Sequence, residues 1–263
     1  MVVFFDIDGT LVDEETQIIP ESAVRAVEQL GKNGHLAVIN TGRPFSHIDP
    51  RIREMAFGGW VCGCGMEIVL GDTCISRKLP SVEVCRLVLK AARECRMQAL
   101  YEAADGAMLT DGEFSAHHPA VVREAARMRE KGFVVCDIDQ RPEPSFMKMG
   151  TWDGENCDRD AFIAQAEPYF TCIERGDTML ELVLKGCSKA DGMLELLETL
   201  GVSREDTVAI GDSINDLPMF RVAGHTVCMG GGKQELKEKA EYITDTVMND
   251  GIEKALRHYG LIG

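Results

Sequence analysis

The chain has 263 residues, 45% of them hydrophobic and 27% charged, and a formal net charge of −15; the composition is ordinary globular, and the length suits one large domain or a core with a sizeable insertion. So acidic a balance argues against nucleic acid and anionic membrane as partners, the longest apolar runs are strand-sized and exclude a membrane-spanning helix, and the start of the chain lacks a leader pattern, so a cytoplasmic protein is expected. The ten cysteines, spread from Cys62 to Cys228, read as small buried apolar residues of a reducing compartment, and "CGC" at 62–64 has neither zinc spacing nor a second close ligand pair.

In chain order, "MVVFF" reads as a short strand buried on both faces. "PESAVRAVEQLGKNG" follows as a helix: Pro20 suits its first turn, Ala23, Val24, Val27 and Leu30 recur at helical spacing, and Gly31 or Gly34 can end it. "HLAVIN" is a second strand, so strand, helix and strand imply a right-handed parallel crossover. From about 81 to 185 the rhythm changes. A helix ("SVEVCRLVLKAARECRM") leads into two strands around "ADG" at 104–106. Helix 119–131, strands "FVVC" and "SFMKMGTW", helix 157–167 and two more strands, the last "TMLELVL", come next. Adjacent strands joined by turns predict an antiparallel sheet with helices on one face. The first rhythm then returns: helix 188–200, strand "TVAIGD", helix 214–222, strand "HTVCM", helix 233–240 and a last helix near 249–259. The expected fold is α/β, a doubly wound, Rossmann-like parallel-sheet core over 1–80 and 186–263 with an α+β domain inserted at 81–185.

Four stretches carry residues that can do chemistry. Asp6 and Asp8 end the first strand two residues apart, so both can point the same way into the crevice that open α/β sheets present at that end. Taken alone they are equally acids of a turn; a calcium loop, which "DIDG" echoes, belongs between helices rather than after a strand. In "VAIGDSINDLPMF" an apolar strand again ends in an acid, Asp212, with Asn215 and Asp216 in the next turn. If the two strands are neighbours, four carboxylates meet at one edge, and oxygen ligands without His or Cys suit magnesium. In "INTGRP", Thr41 offers a hydroxyl, Gly42 lets backbone N–H groups approach, and Arg43 offers a fork for oxyanions. In "KGCSKADG", Lys189 lies in a first helical turn, which already favours anions. A single Lys or Arg is ordinarily a solvated charge, but Thr41, Lys189 and a metal together supply the local positive charge that the acidic surface lacks. These parts suggest phosphoryl transfer by a carboxylate nucleophile, with a second carboxylate handling the protons.

"DIDGTLV", "NTGR", "SKADG" and "GDSINDLPMF" resemble the four ordered motifs of the haloacid dehalogenase superfamily, and the layout is similar to its Cof-like phosphatases, whose type IIB α/β cap is inserted between the second and third motifs. The resemblance spans essentially the whole chain and extends to "ELKEKAEYIT" and "NDG". It implies that Asp6 is the nucleophile and that Asp8 is the general acid/base and offers its carbonyl to Mg2+. It implies that Thr41, Gly42, Lys189 and Asn215 hold the phosphate, and that Asp212 and Asp216 serve the metal. Two places depart from the family pattern. Cys64 and Met66 stand where an Asn and an Ala are usual, and Gly231 and Gly232 where Asn-Ala is usual.

The expected function is a Mg2+-dependent phosphatase of a small phosphorylated metabolite, such as a sugar phosphate. A phosphotransferase or phosphomutase on the same core is one rival, and a catalytically silent binding module is another. His47 and Lys148 are candidates to reach the leaving group. His117 and His118 read as a polar approach to a helix, and the cap is expected to close over the core and exclude water.

Overall fold

A computed structural model describes residues 1–176 and 178–263, which fall into two compact units, Met1–Arg77 with Cys187–Gly263, and Lys78–Gly186. The first unit opens with β1 (Val2–Phe5), α1 (Glu21–Lys32), β2 (Leu36–Asn40), the short α2 (Pro50–Arg53), β3 (Gly59–Cys62), β4 (Glu67–Leu70) and β5 (Thr73–Arg77). The second holds α3 (Val82–Glu94), β6 (Met97–Glu102), β7 (Met108–Thr110), α4 (Gly112–Ser115), α5 (Pro119–Glu130), β8 (Val135–Asp137), β9 (Lys148–Asp153), α6 (Arg159–Ala166), β10 (Phe170–Glu174) and β11 (Met179–Leu184). The chain then returns to the first unit through α7 (Lys189–Leu200), β12 (Thr207–Gly211), α8 (Leu217–Phe220), β13 (His225–Cys228), α9 (Gln234–Lys237), β14 (Tyr242–Ile243) and α10 (Gly251–His258).

The first unit's sheet runs β14-β13-β12-β1-β2-β3-β4-β5. It is parallel as far as β3, and β4 and β5 extend it antiparallel. Alternation along β1 explains the double winding. Val3 and Phe5 pack with Ala26, Val27 and Leu30 of α1 and with Ile252 and Leu256 of α10. Val2 and Phe4 pack on the other face with Met193 and Leu196 of α7 and Met219 of α8. Register places the site: Phe5 lies opposite Ile39 of β2 and Ile210 of β12, so the residues after these three strands emerge side by side.

The late helices are shorter than their sequence pattern suggests. The stretch 214–222 begins as a 3-10 turn, Ile214–Asp216, before α8, because Pro218 suits a helix start and not an interior. The predicted helix 233–240 is reduced to α9, and the edge strand β14 follows it.

In the second unit the sheet order is β10-β11-β9-β6-β7-β8. The pairs are antiparallel except β7 with β8, which are parallel because α5 carries the chain across. Helices also cover more than the expected single face. Cys85 and Val88 of α3 and Phe162 of α6 bury Met97, Ala99 and Tyr101, whereas Val121 and Ala125 of α5 bury Leu100, Met108 and Trp152 on the opposite side. Both alternating sets of these strands are apolar, so both attract a helix.

Candidate active site

Asp6, Thr41 and Asp212 leave the C-terminal ends of β1, β2 and β12, and Lys189 is the first residue of α7. Backbone bonds continue the sheet past its strands: the Asp6 N–H donates to the Ile210 carbonyl at 3.0 Å and the Thr41 N–H to the Val61 carbonyl at 2.8 Å. Lys189 is 1% exposed. Its Nζ lies 2.7 Å from Asp6 Oδ1 and 2.5 Å from Asp216 Oδ1, and it donates to Asn215 Oδ1 at 3.5 Å. Asp216 Oδ2 accepts the N–H groups of Asp212 and Ser213, each at 3.0 Å, which fixes the turn carrying Asp212.

The sequence between motifs explains how Lys189 comes this deep. Ser188 caps α7 by accepting the Asp191 N–H at 3.2 Å. Gly65, in the turn after β3, and Gly192, in the first turn of α7, approach so closely that a Cβ on Gly65 would lie 2.4 Å from the Ser188 carbonyl and one on Gly192 2.7 Å from the Gly65 Cα. Asn40 adds a buried bond from Nδ2 to the Lys189 carbonyl at 2.9 Å. Thr10 Oγ1 donates to Asp212 Oδ1 at 3.3 Å. None of Thr10, Asn40 and Gly65 stands out from local spacing, since their partners lie far along the chain, whereas Gly192 closes the "SKADG" stretch.

The electrostatics are those of an anionic cluster with one cation. Oxygens of Asp6, Asp212 and Asp216 all lie within 4.8 Å of one another. Burial, and then the Asp216 charge, push Asp6 up to about 7, although Lys189 opposes this. Burial, and then Asp6 and Asp216, push Asp212 up to about 8. Burial works against the Lys189 charge, but Asp216 and Asp6 outweigh it and hold the ammonium above the ordinary lysine range. When all three are ionised, the carboxylates outweigh the one ammonium, an excess of negative charge that a divalent cation would offset, and an all-oxygen donor set suits a hard ion. The cluster could therefore hold a metal.

The remaining predicted residues are placed as follows. Asp8 faces Arg43, whose Nε donates to Asp8 Oδ2 at 2.9 Å while Nη2 contacts Oδ1. Thr41 is buried, and its Oγ1 accepts the Arg43 N–H at 3.2 Å, which leaves the hydroxyl proton to donate. Asn215 spends its amide oxygen on Ser213 Oγ at 2.7 Å and on Lys189, so its N–H2 group is the part turned to other work. Cys64 adopts φ 57°, left-handed backbone that an Asn enters more easily than a Cys. His47 is buried in a 3-10 turn, Phe45–His47. Lys148 is buried in the second unit's sheet, paired with Glu181 and 3.8 Å from Glu102. His118 sits at the N-cap of α5.

Known proteins match this architecture. A family model described as haloacid dehalogenase-like hydrolase matches residues 3–256. The Bacillus subtilis (strain 168) protein named "Putative phosphatase YkrA" is 29% identical, covering 99% of this chain and 98% of its own length. The 5-amino-6-(5-phospho-D-ribitylamino)uracil phosphatase YcsE of the same organism is 27% identical, with 99% and 96% covered. The solved structure of BT1666 from Bacteroides thetaiotaomicron, described among phosphatases of the haloalkanoate (HAD) enzyme superfamily, matches with a TM-score of 0.83 at 26% identity, covering 99% of this chain and 95% of that one.

Proposed function

The chain belongs to the haloacid dehalogenase-like hydrolases as a phosphoric monoester hydrolase, and from that premise we propose that it is a Mg2+-dependent phosphatase of a small phosphorylated metabolite, a sugar phosphate above all, working through an aspartyl phosphate on Asp6. One observation carries the reading: a buried lysine bridges Asp6 and Asp216 at the crevice end of the parallel strands, with Asp212 in the same cluster.

Lys189 holds Asp6 Oδ1 and so fixes the carboxylate whose Oδ2 attacks phosphorus. As that bond forms, the bond from phosphorus to the leaving oxygen breaks, and the oxygen takes its electron pair and a proton from Asp8. Water then attacks phosphorus and gives a proton to Asp8, and the Asp6 carboxylate is released with free phosphate. Thr41, the Gly42 backbone, Lys189 and the Asn215 amide bind the phosphoryl oxygens. Asp6, Asp212, the Asp8 carbonyl and, in support, Asp216 would hold the metal. When bound, that ion adds positive charge beside the phosphoryl oxygens and lowers their repulsion with Asp6. The name of the relative YcsE, which acts on a phosphorylated ribityl compound, supports a small polyol or sugar phosphate as substrate.

A panel of phosphorylated sugars, nucleotides and cofactors, assayed for free phosphate with Mg2+ and with EDTA, tests the proposal. Release from sugar monophosphates supplied alone, lost in EDTA, is expected. Transfer of the phosphoryl group to a second sugar with no free phosphate would make the chain a phosphotransferase instead.

A further inference from the structure

Arg43 looks from the sequence like a fork for a substrate oxyanion, yet the structure spends that fork within the chain. Its Nε donates to Asp8 Oδ2 at 2.9 Å and its Nη2 contacts Oδ1, so guanidinium and carboxylate meet edge to edge. Both backbones are already fixed. The Arg43 N–H donates to Thr41 Oγ1 at 3.2 Å, and the Arg43 carbonyl accepts the Gly63 N–H at 2.8 Å. Asp8 lies in a turn where the Ile7 carbonyl accepts the Leu11 and Val12 N–H groups and Gly9 donates to the Val12 carbonyl. What remains adjustable is the direction of the Asp8 carboxylate. Packing does not set it, because the side chain is 40% exposed. Among the described residues, Arg43 supplies the hydrogen bonds that do.

We propose that Arg43 is a positioning residue that acts through Asp8, aiming its carboxylate at the leaving oxygen, and that its fork does not bind the phosphoryl group. The inference rests on the reading of Asp8 as the proton donor. In that step the Asp6–phosphorus bond forms, the phosphorus–oxygen bond to the leaving group breaks toward oxygen, and the Asp8 proton moves to that oxygen. An alkoxide leaving group needs this proton; p-nitrophenolate needs it little. A fault in aiming Asp8 therefore depends on the leaving group, whereas a lost phosphate contact does not.

The test compares kcat/KM for an alkyl phosphate and for p-nitrophenyl phosphate in the Mg2+-loaded enzyme, since kcat/KM covers the steps through departure of the leaving group. Asp8→Asn sets the reference and is expected to lower the alkyl-to-nitrophenyl ratio by about 10²-fold or more. Arg43→Ala is expected to lower the same ratio by roughly 10- to 10²-fold, as a misplacement of about 1 Å does, with the inhibition constant of inorganic phosphate within a few-fold. Arg43→Lys keeps the charge but offers no planar fork, and is expected to recover only part of the ratio. If Arg43→Ala lowers both substrates equally and weakens phosphate inhibition, the fork binds phosphate and the inference is overturned. An unchanged ratio in Arg43→Ala beside a changed one in Asp8→Asn overturns it too. If Asp8→Asn itself leaves the ratio unchanged, the proton-donor reading fails with it.

Discussion

Replacing Asp212 with Asn should stabilise the metal-free protein at pH 8 while abolishing its response to Mg2+. Burial, followed by the charges of Asp6 and Asp216, raises this carboxyl from 3.8 to about 8. The unfolded chain releases the proton near pH 4 and the folded protein holds it, so across pH 4 to 8 the folded state binds more protons and stability falls as pH rises. A difference of about four pH units, at roughly 1.4 kcal/mol each, sets an upper bound on the order of 5 kcal/mol. Asp212 is partly open to solvent, and screening reduces this to roughly 2 kcal/mol. Asn carries no such cost. Urea unfolding in EDTA should therefore show Asp212→Asn about 2 kcal/mol more stable than wild type at pH 8 and equal to it at pH 4. In saturating Mg2+ the wild type should gain stability by mass action and the variant little. A variant less stable than wild type at pH 8 in EDTA would show instead that Asp212 is a net stabiliser without a metal and that its burial carries no such cost.

Three further outcomes concern the buried lysine, the Gly9 turn and an ion pair of the second unit. Lys189→Met leaves Asp6 and Asp216 buried without their cation, so unfolding at pH 7 should show a loss of about 3–5 kcal/mol, shrinking as pH falls and the carboxylates take up protons; an unshifted urea midpoint would contradict the pairing. Gly9 has φ 74° and a Cβ there would lie 2.4 Å from Asp212 Oδ2; Gly9→Ala should cost about 1–2 kcal/mol in stability and roughly 10²-fold in kcat/KM, and wild-type kinetics would show that this turn does not place Asp212. Burial opposes the charge of Glu181, but Lys148 and Arg175 together pull it down to about 2. Its contribution is thus present above about pH 4.5 and lost as pH falls toward 2; Glu181→Gln should unfold more easily by roughly 1–2 kcal/mol at pH 7, and a difference that persists at pH 2 would be evidence against the ion pair.

What the sequence shows and hides follows the range of the interactions. "VVFFD" and "VAIGD" announce buried strands ending in acids because strand length, apolar character and the terminal acid are all local. The same holds for the apolar spacing of α1 and for the Ser188 cap of α7, which are local too. The antiparallel β4 and β5 hide behind the unusual turn at 62–66, and β14 is only two residues long. Arg43 and Lys148 show how a charge misleads. Each looks free to meet a ligand until the fold brings in its partner, Asp8 for the first and Glu181 for the second. The roles of Asn40 and Thr10 have no local signal because the groups they hold, the Lys189 carbonyl and the Asp212 carboxylate, lie 149 and 202 residues away.

Whether Asp6 carries the phosphoryl group can be measured directly. The enzyme is mixed with a turned-over phosphate ester and Mg2+, quenched in acid during turnover, digested and mapped by mass spectrometry. One phosphoryl group is expected on the N-terminal peptide that contains Asp6, at Asp6, and none in Asp6→Asn, which should also release no phosphate. Phosphate release that continues in Asp6→Asn, or a phosphoryl group on any other residue, would contradict it.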